Sequence, residues 1–130
     1  MLVRIENLTQ KTTIMRNGKI ADNPWSRLQD LIGTPQLEQG DGLLIIPYKS
    51  VRRIFMSVAV DLLYVNEADQ VVGLDERILS SSIGKPRRDC SYMIEVPVGT
   101  IALSQTNIGN LLQVIYQGST RSALHNQMKQ

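Results

Sequence analysis

At 130 residues, with 42% apolar and 20% charged side chains, the chain has the length and composition of a single globular domain. Lys and Arg total 14 against 12 Asp and Glu, and the net charge of +2 is too small to point to a nucleic-acid or anionic-membrane partner. One cysteine, Cys90, cannot close an internal disulfide, and with the single histidine, His125, it makes no metal-ligand spacing.

The first residues, MLVRIENLTQ, place Arg4 and Glu6 where a signal peptide would need an uninterrupted apolar run. The longest strictly apolar run, Leu43 to Ile46, falls far short of a membrane span. The expectation is a soluble, cytoplasmic protein. Thr12, Thr13 and Ile14 are strand formers, and Asn17-Gly18 suits a type I′ turn, so a hairpin is expected across Met15 to Ile20. Asn23 can cap a helix, Pro24 fits its first position, and Gly33 can end it. Between them Trp25, Leu28, Leu31 and Ile32 recur at helical spacing, which predicts a short amphipathic helix.

Thr34 to Asp41 reads as a polar connector, and Gly42 to Pro47 as a strand buried on both faces. Val58 to Val65 predicts another strand, turning at Asn66 to Asp69 and returning from Val71 to Leu74. Ile78 to Asp89, rich in Ser, Gly, Pro and Arg, reads as a surface loop. Ser91 to Val96 alternates, with Tyr92, Ile94 and Val96 on one side. Pro97 and Gly99 interrupt it, and Leu111 to Tyr116 follows the Asn107-to-Asn110 turn as a last strand. From Gln117 the composition turns polar and predicts a mobile tail, leaving residues 1–116 as one β-rich domain. Many short strands and one helix in the N-terminal third predict a mainly β sandwich or partly closed barrel.

Asp61 is the residue that most needs a physical explanation. On a strand it shares one face with Ala59, Leu63 and Val65, while Val58, Val60, Leu62 and Tyr64 form the other. Neither face is polar, and a buried carboxylate persists only when paired or well hydrogen-bonded. The bland reading is a structural bond to backbone amides or to Arg52 or Arg53. The functional reading is a ligand-binding carboxylate or a general base. Arg52-Arg53 and Arg87-Arg88, with Lys49 and Lys85, could hold an anion if folded together, but without a Gly-rich phosphate loop or aromatic interleaving two solvated loops are the favoured account. Cys90 has no histidine within reach as a base, and Ser80-Ser81-Ser82 lacks nucleophile-elbow context.

Five short motifs carry a family resemblance. Trp25-Ser26-Arg27-Leu28 with Leu31-Ile32-Gly33, Gly42-Leu43-Leu44-Ile45-Ile46-Pro47, and Met56 followed by Val60-Asp61 come in that order. Glu95-Val96-Pro97-Val98-Gly99-Thr100 and Asn107-Ile108-Gly109-Asn110 complete the set. In this order and spacing the chain resembles the domain-of-unknown-function family 192, small proteins of bacteria and archaea, over roughly Leu2 to Tyr116. The resemblance implies a mainly β fold with one short helix, and no reaction. It marks Trp25, Met56, Glu95 and Gly99, beside Asp61, as a structural signature. Many members carry Cys-x-x-[Ile/Val]-His before the hallmark strand. Here Tyr48 and Arg52 stand at those positions, Ala59 replaces a common Pro, and Asn110 replaces the final Asp.

These features favour a non-catalytic binding or accessory domain, with no cofactor and no metal. Asp61, Arg52 and Arg53 would lie near a small polar or anionic ligand or a protein partner. The alternatives are a small-substrate enzyme with Asp61 as base and, third, a weak nucleic-acid binder.

Overall fold

The computed structural model describes residues 2–21, 39–46, 59–79 and 89–117. The described elements in chain order are β1 (Leu2–Asn7), β2 (Thr12–Ala21), β3 (Asp41–Ile45), β4 (Ala59–Val65), β5 (Val71–Leu79), β6 (Tyr92–Pro97), α1 (Thr100–Ser104) and β7 (Leu112–Gln117). They form one seven-stranded sheet in the order β5-β4-β6-β3-β2-β1-β7. Every pairing is antiparallel except β2 with β3. The fold is thus mainly β, as expected, but among the described residues it is one mixed sheet and not two packed sheets. The edge strands β5 and β7 approach at one corner, where Gln70 and Leu111 make an isolated bridge. Val71 N–H donates to Asn110 O and Leu112 N–H to Asp69 O there, and the sheet otherwise stays open.

One face of the sheet carries the core cluster. Val3 and Ile5 from β1, Leu44 from β3, Leu63 and Val65 from β4, and Tyr92, Ile94 and Val96 from β6 point into it, with Ile101 from α1 and Leu112 from β7. The alternation along β6 therefore sorts as expected. On the opposite face Leu43, Ile45, Val60, Leu62, Tyr64, Met93 and Glu95 are buried as well. Burial on both faces is why Gly42 to Ile45 and, Asp61 apart, Val60 to Val65 read as apolar runs.

The expected hairpin at Asn17-Gly18 is not there. The β1–β2 turn falls at Leu8 to Lys11, and Lys11 takes the positive φ, 59°. Asn17-Gly18 lies inside β2, where Val3 pairs with Gly18 but Ile5 pairs with Met15, leaving Arg16 and Asn17 bulged. Both bulge amides donate to the Gly40 carbonyl at 2.9 Å, so Asn17 of the expected turn lies in a bulge while Gly18 stays in the ladder, paired with Val3 and Gly42. The Met15 side chain lies across the glycines at 18 and 42, and a Cβ at either position would overlap it.

Two other expectations change. β1 adds a strand to those expected, its alternation placing Val3 and Ile5 inward with Arg4 and Glu6 outward. β5 runs on to Leu79, so Ile78 belongs to a strand and not to the expected loop, and residues 80–88 lie outside the described set. The helix expected around Trp25, the positions Tyr48, Arg52, Arg53 and Met56, and the tail from Gly118 onward are outside it too.

Candidate functional site

Asp61 sits in mid-β4, level with Val96 of β6, and is fully buried. Its oxygens are occupied by main-chain donors from two separate segments. Oδ1 accepts the Arg77 N–H at 3.0 Å, and Oδ2 accepts the Gly99 N–H at 3.1 Å and the Ile101 N–H at 3.0 Å. The bland reading of Asp61, a carboxylate holding backbone amides, is what the geometry delivers.

Local backbone chemistry makes these three bonds possible. Opposite Asp61 the β4–β5 register slips, with Val60 facing Ile78 and Leu62 facing Asp75, so Glu76 and Arg77 form a bulge. Arg77 adopts a left-handed φ of 53°, at a cost of roughly 1–2 kcal/mol for a side-chain-bearing residue. On the other side Pro97 ends β6 and Gly99 takes φ 97°, a conformation that favours glycine. Gly99 is the N-cap of α1 and brings no side chain to bond the first helical amides. Asp61 supplies from a neighbouring strand the oxygen that a Ser or Asp cap would otherwise provide.

A second buried network holds the far end of α1. Ser104 Oγ donates to Thr100 O at 2.7 Å and shares a hydrogen bond with Thr106 Oγ1, also at 2.7 Å. Asn7 Nδ2 donates to Thr106 Oγ1 and Asn110 Oδ1, while its Oδ1 accepts the Gln10 N–H. Asn110 Oδ1 also accepts the Asn107 N–H at 2.9 Å. At this position the carboxylate common in the resembling family is replaced by a carboxamide, whose one oxygen serves both donors. Thr12 Oγ1 closes the ring by donating to Ser104 O at 2.7 Å.

Held at both ends, α1 stands beside β2 and encloses a cleft of about 280 Å³. β2 contributes Thr12, Thr13, Ile14 and Arg16, the turn before β3 contributes Gln39 and Gly40, and α1 contributes Thr100, Leu103 and Ser104. Thr13 Oγ1 donates to Glu6 Oε1, and Glu6 Oε2 accepts from Arg4 Nε at 2.8 Å. The bulge at Arg16 and Asn17 turns Arg16 out of the sheet and over Gly40, whose φ is 94°.

Elsewhere Tyr92 Oη donates to Asp69 Oδ1 at 2.7 Å, and its phenol pKa is raised first by burial and then by that bond. Tyr116 is raised by burial and by the charge of Asp69. Tyr64 Oη donates to Asp75 Oδ2 at 2.8 Å. Cys90 is buried with its thiol against Tyr92 O. Among the described residues no three His, Cys, Asp or Glu side chains converge as metal ligands, and no helix is long and apolar enough to cross a membrane.

Of the ligand-binding and signature residues expected from the sequence, Asp61, Glu95 and Gly99 are described. Asp61 and Gly99 meet, and Glu95 lies fully buried on the sheet's opposite face, level with Leu43 and Leu62. Sequence reasoning overlooked the cleft. Its available signal was Arg16 just before Asn17-Gly18, and that signal has no meaning until Gly40 is brought alongside.

Two solved structures share the architecture. One is a protein from Sinorhizobium meliloti 1021, provisionally named a transcription regulator. It is 19% identical, with a TM-score of 0.65 over 86% of this chain and 91% of that one. The other is a protein of unknown function from Novosphingobium aromaticivorans DSM 12444. It is 12% identical, with a TM-score of 0.66 over 87% of this chain and 84% of that one. At these identities the likeness concerns the fold alone. No functionally curated protein matches the chain. The buried Asp61, the Gly99 turn and the Asn107-to-Asn110 turn all fall within residues 4–114, which match the model of DUF192, described as uncharacterized ACR, and the chain belongs to that family.

Proposed function

We propose that this chain is a non-catalytic binding or accessory domain for a small polar or anionic ligand, and that Asp61 shapes the binding region without touching the ligand. The observation that carries this reading is the allocation of the Asp61 oxygens. A general base needs a lone pair within reach of a substrate proton. Here three amides occupy a side chain that solvent does not reach. The same bonds fix the start of α1, one wall of the cleft. On this reading Arg52 and Arg53 contribute positive charge toward an anion, since Asp61 already has its partners.

The transcription-regulator name of the Sinorhizobium protein would make nucleic acid the ligand. A net charge of +2 gives little of the phosphate attraction on which such binding depends. The test is to incubate the full chain with mixtures of organic acids, phosphate monoesters and nucleotides, following them by proton NMR. Saturation transfer to some components, with the mixture unchanged after hours, is the expected result. Steady consumption of any component would make the protein an enzyme. Salt-sensitive binding of duplex DNA without small-molecule binding would replace the reading with the nucleic-acid one.

A further inference from the structure

We propose that the cleft between β2 and α1 binds the oxyanion of a small organic molecule, a carboxylate or a phosphate monoester, with the Arg16 guanidinium as its cation. The inference rests on the binding-domain reading above and names its site and ligand class.

The first argument is charge. Among the described residues Arg16 is the only charged one lining the cleft, and no described carboxylate shares the lining with it. Its guanidinium forms no ion pair or hydrogen bond with the described residues, whereas Arg4 on the neighbouring strand is neutralised by Glu6. A guanidinium offers a planar fork of donors that matches carboxylate and phosphate oxygens two at a time.

The second argument is presentation. In a regular strand the backbone at Arg16 would continue the alternation of β2. The bulge breaks that alternation, and the Gly40 carbonyl clamps it through the Arg16 and Asn17 amides. The guanidinium passes beside Gly40, where a Cβ would meet Arg16 Nη1 at 3.6 Å, an ordinary contact, and it is the φ of 94° that favours glycine at this position. The backbone that carries the cation is thus fixed at the mouth of the concavity, with the side chain exposed to an incoming anion.

The third argument is the remaining lining. The Gln39 carboxamide and the Thr100 hydroxyl make no hydrogen bond with the described residues, so both are available to oxygen atoms beside Arg16. Leu103 is 70% exposed on the opposite rim and offers one apolar contact to a short hydrocarbon body. A volume of about 280 Å³ lies at the small end of ligand pockets, which suits a metabolite and not a nucleotide or peptide.

The experiment is a titration of the isotope-labelled full chain with acetate, butyrate and inorganic phosphate at constant ionic strength, read from backbone amide shifts. Saturable shifts confined to Thr13, Arg16, Gly40, Thr100 and Leu103 are expected, with butyrate several-fold tighter than acetate because of Leu103. Phosphate binding tighter than butyrate identifies a phosphate monoester as the source, and the reverse identifies a carboxylate. Arg16→Ala weakens binding at least tenfold with no change in melting temperature, and Arg16→Lys retains part of it. Shifts that never saturate, or an Arg16→Ala variant that binds like the parent, overturn the inference. Binding that survives Arg16→Ala but disappears in a joint Arg52→Ala, Arg53→Ala variant also overturns it, while leaving the binding-domain reading standing.

Discussion

Replacing Asp61 tests the central structural claim most directly. Asp61→Ala removes the acceptor for three amides at once. The Ile101 bond is buried, and an unmet buried donor costs about 1–3 kcal/mol. The Arg77 and Gly99 bonds are only part-buried, so water recovers much of each, and a net loss of ~0.5–1.5 kcal/mol applies to both. The sum is roughly 4 kcal/mol, a large share of the ~5–15 kcal/mol that holds a domain together. Asp61→Asn keeps the shape and one oxygen. Turned toward Gly99 and Ile101, its carbonyl still serves two donors, but its amide group then faces the Arg77 N–H, donor against donor. About half the alanine penalty, ~2 kcal/mol, is expected. Urea unfolding monitored by circular dichroism gives both values. Hydrogen exchange locates the effect, with Gly99 and Ile101 losing protection in Asp61→Ala and Arg77 losing it in both variants. A penalty below 1 kcal/mol for alanine, or three amides that stay protected, would refute the assignment. Should the alanine variant not fold, the asparagine variant still carries the test.

Two further substitutions probe the surroundings. Arg77→Gly removes the left-handed cost of ~1–2 kcal/mol against a glycine entropy cost of ~0.5–1 kcal/mol. Chemical denaturation should therefore show a gain of about 0.5–1 kcal/mol, and a loss would mean that the Arg77 side chain holds something itself. Tyr92→Phe removes the hydrogen bond to Asp69 and costs about 1.5–3 kcal/mol near neutrality. Because the Tyr92 pKa is raised in the folded state, its contribution is fully present below the ordinary phenol value of about 10 and is lost as pH rises beyond it. Urea midpoints measured from pH 8 to 11 should fall less steeply above pH 10 in Tyr92→Phe, with the Tyr116 slope remaining.

The parts of this fold that are legible in the sequence are those fixed by local pattern. The apolar runs behind β3 and β4, the alternation of β6 and the polar turns before β5 and β7 each carry their own boundary residues. Asp61 could be placed in the interior because both faces of its strand are apolar. Its partners could not be read, since main-chain amides have no sequence identity and two of the three lie 38 and 40 residues away. The same limit explains Asn17-Gly18. That pair suits a type I′ turn, yet here Asn17 lies in a bulge and Gly18 in a ladder, an arrangement held by the Gly40 carbonyl, a long-range partner. α1 escaped because five residues are too few to show a helical period and its cap comes from another strand.

The position of β1 has a consequence for the order in which the molecule can be completed. One edge of β1 pairs with β2 at once, through a four-residue turn, but the other pairs with β7, the last described strand. During synthesis roughly 100 residues separate the two, which at ~5–20 residues per second leaves that edge open for about 5–20 seconds. An open edge is a template for any other extended chain. The outward pair Arg4 and Glu6, with the polar Asn7 at the end of the strand, places charge along that waiting edge. A newborn chain released before residue 112 would expose it without relief. Nascent fragments ending there should aggregate, whereas those extending through residue 117 should not.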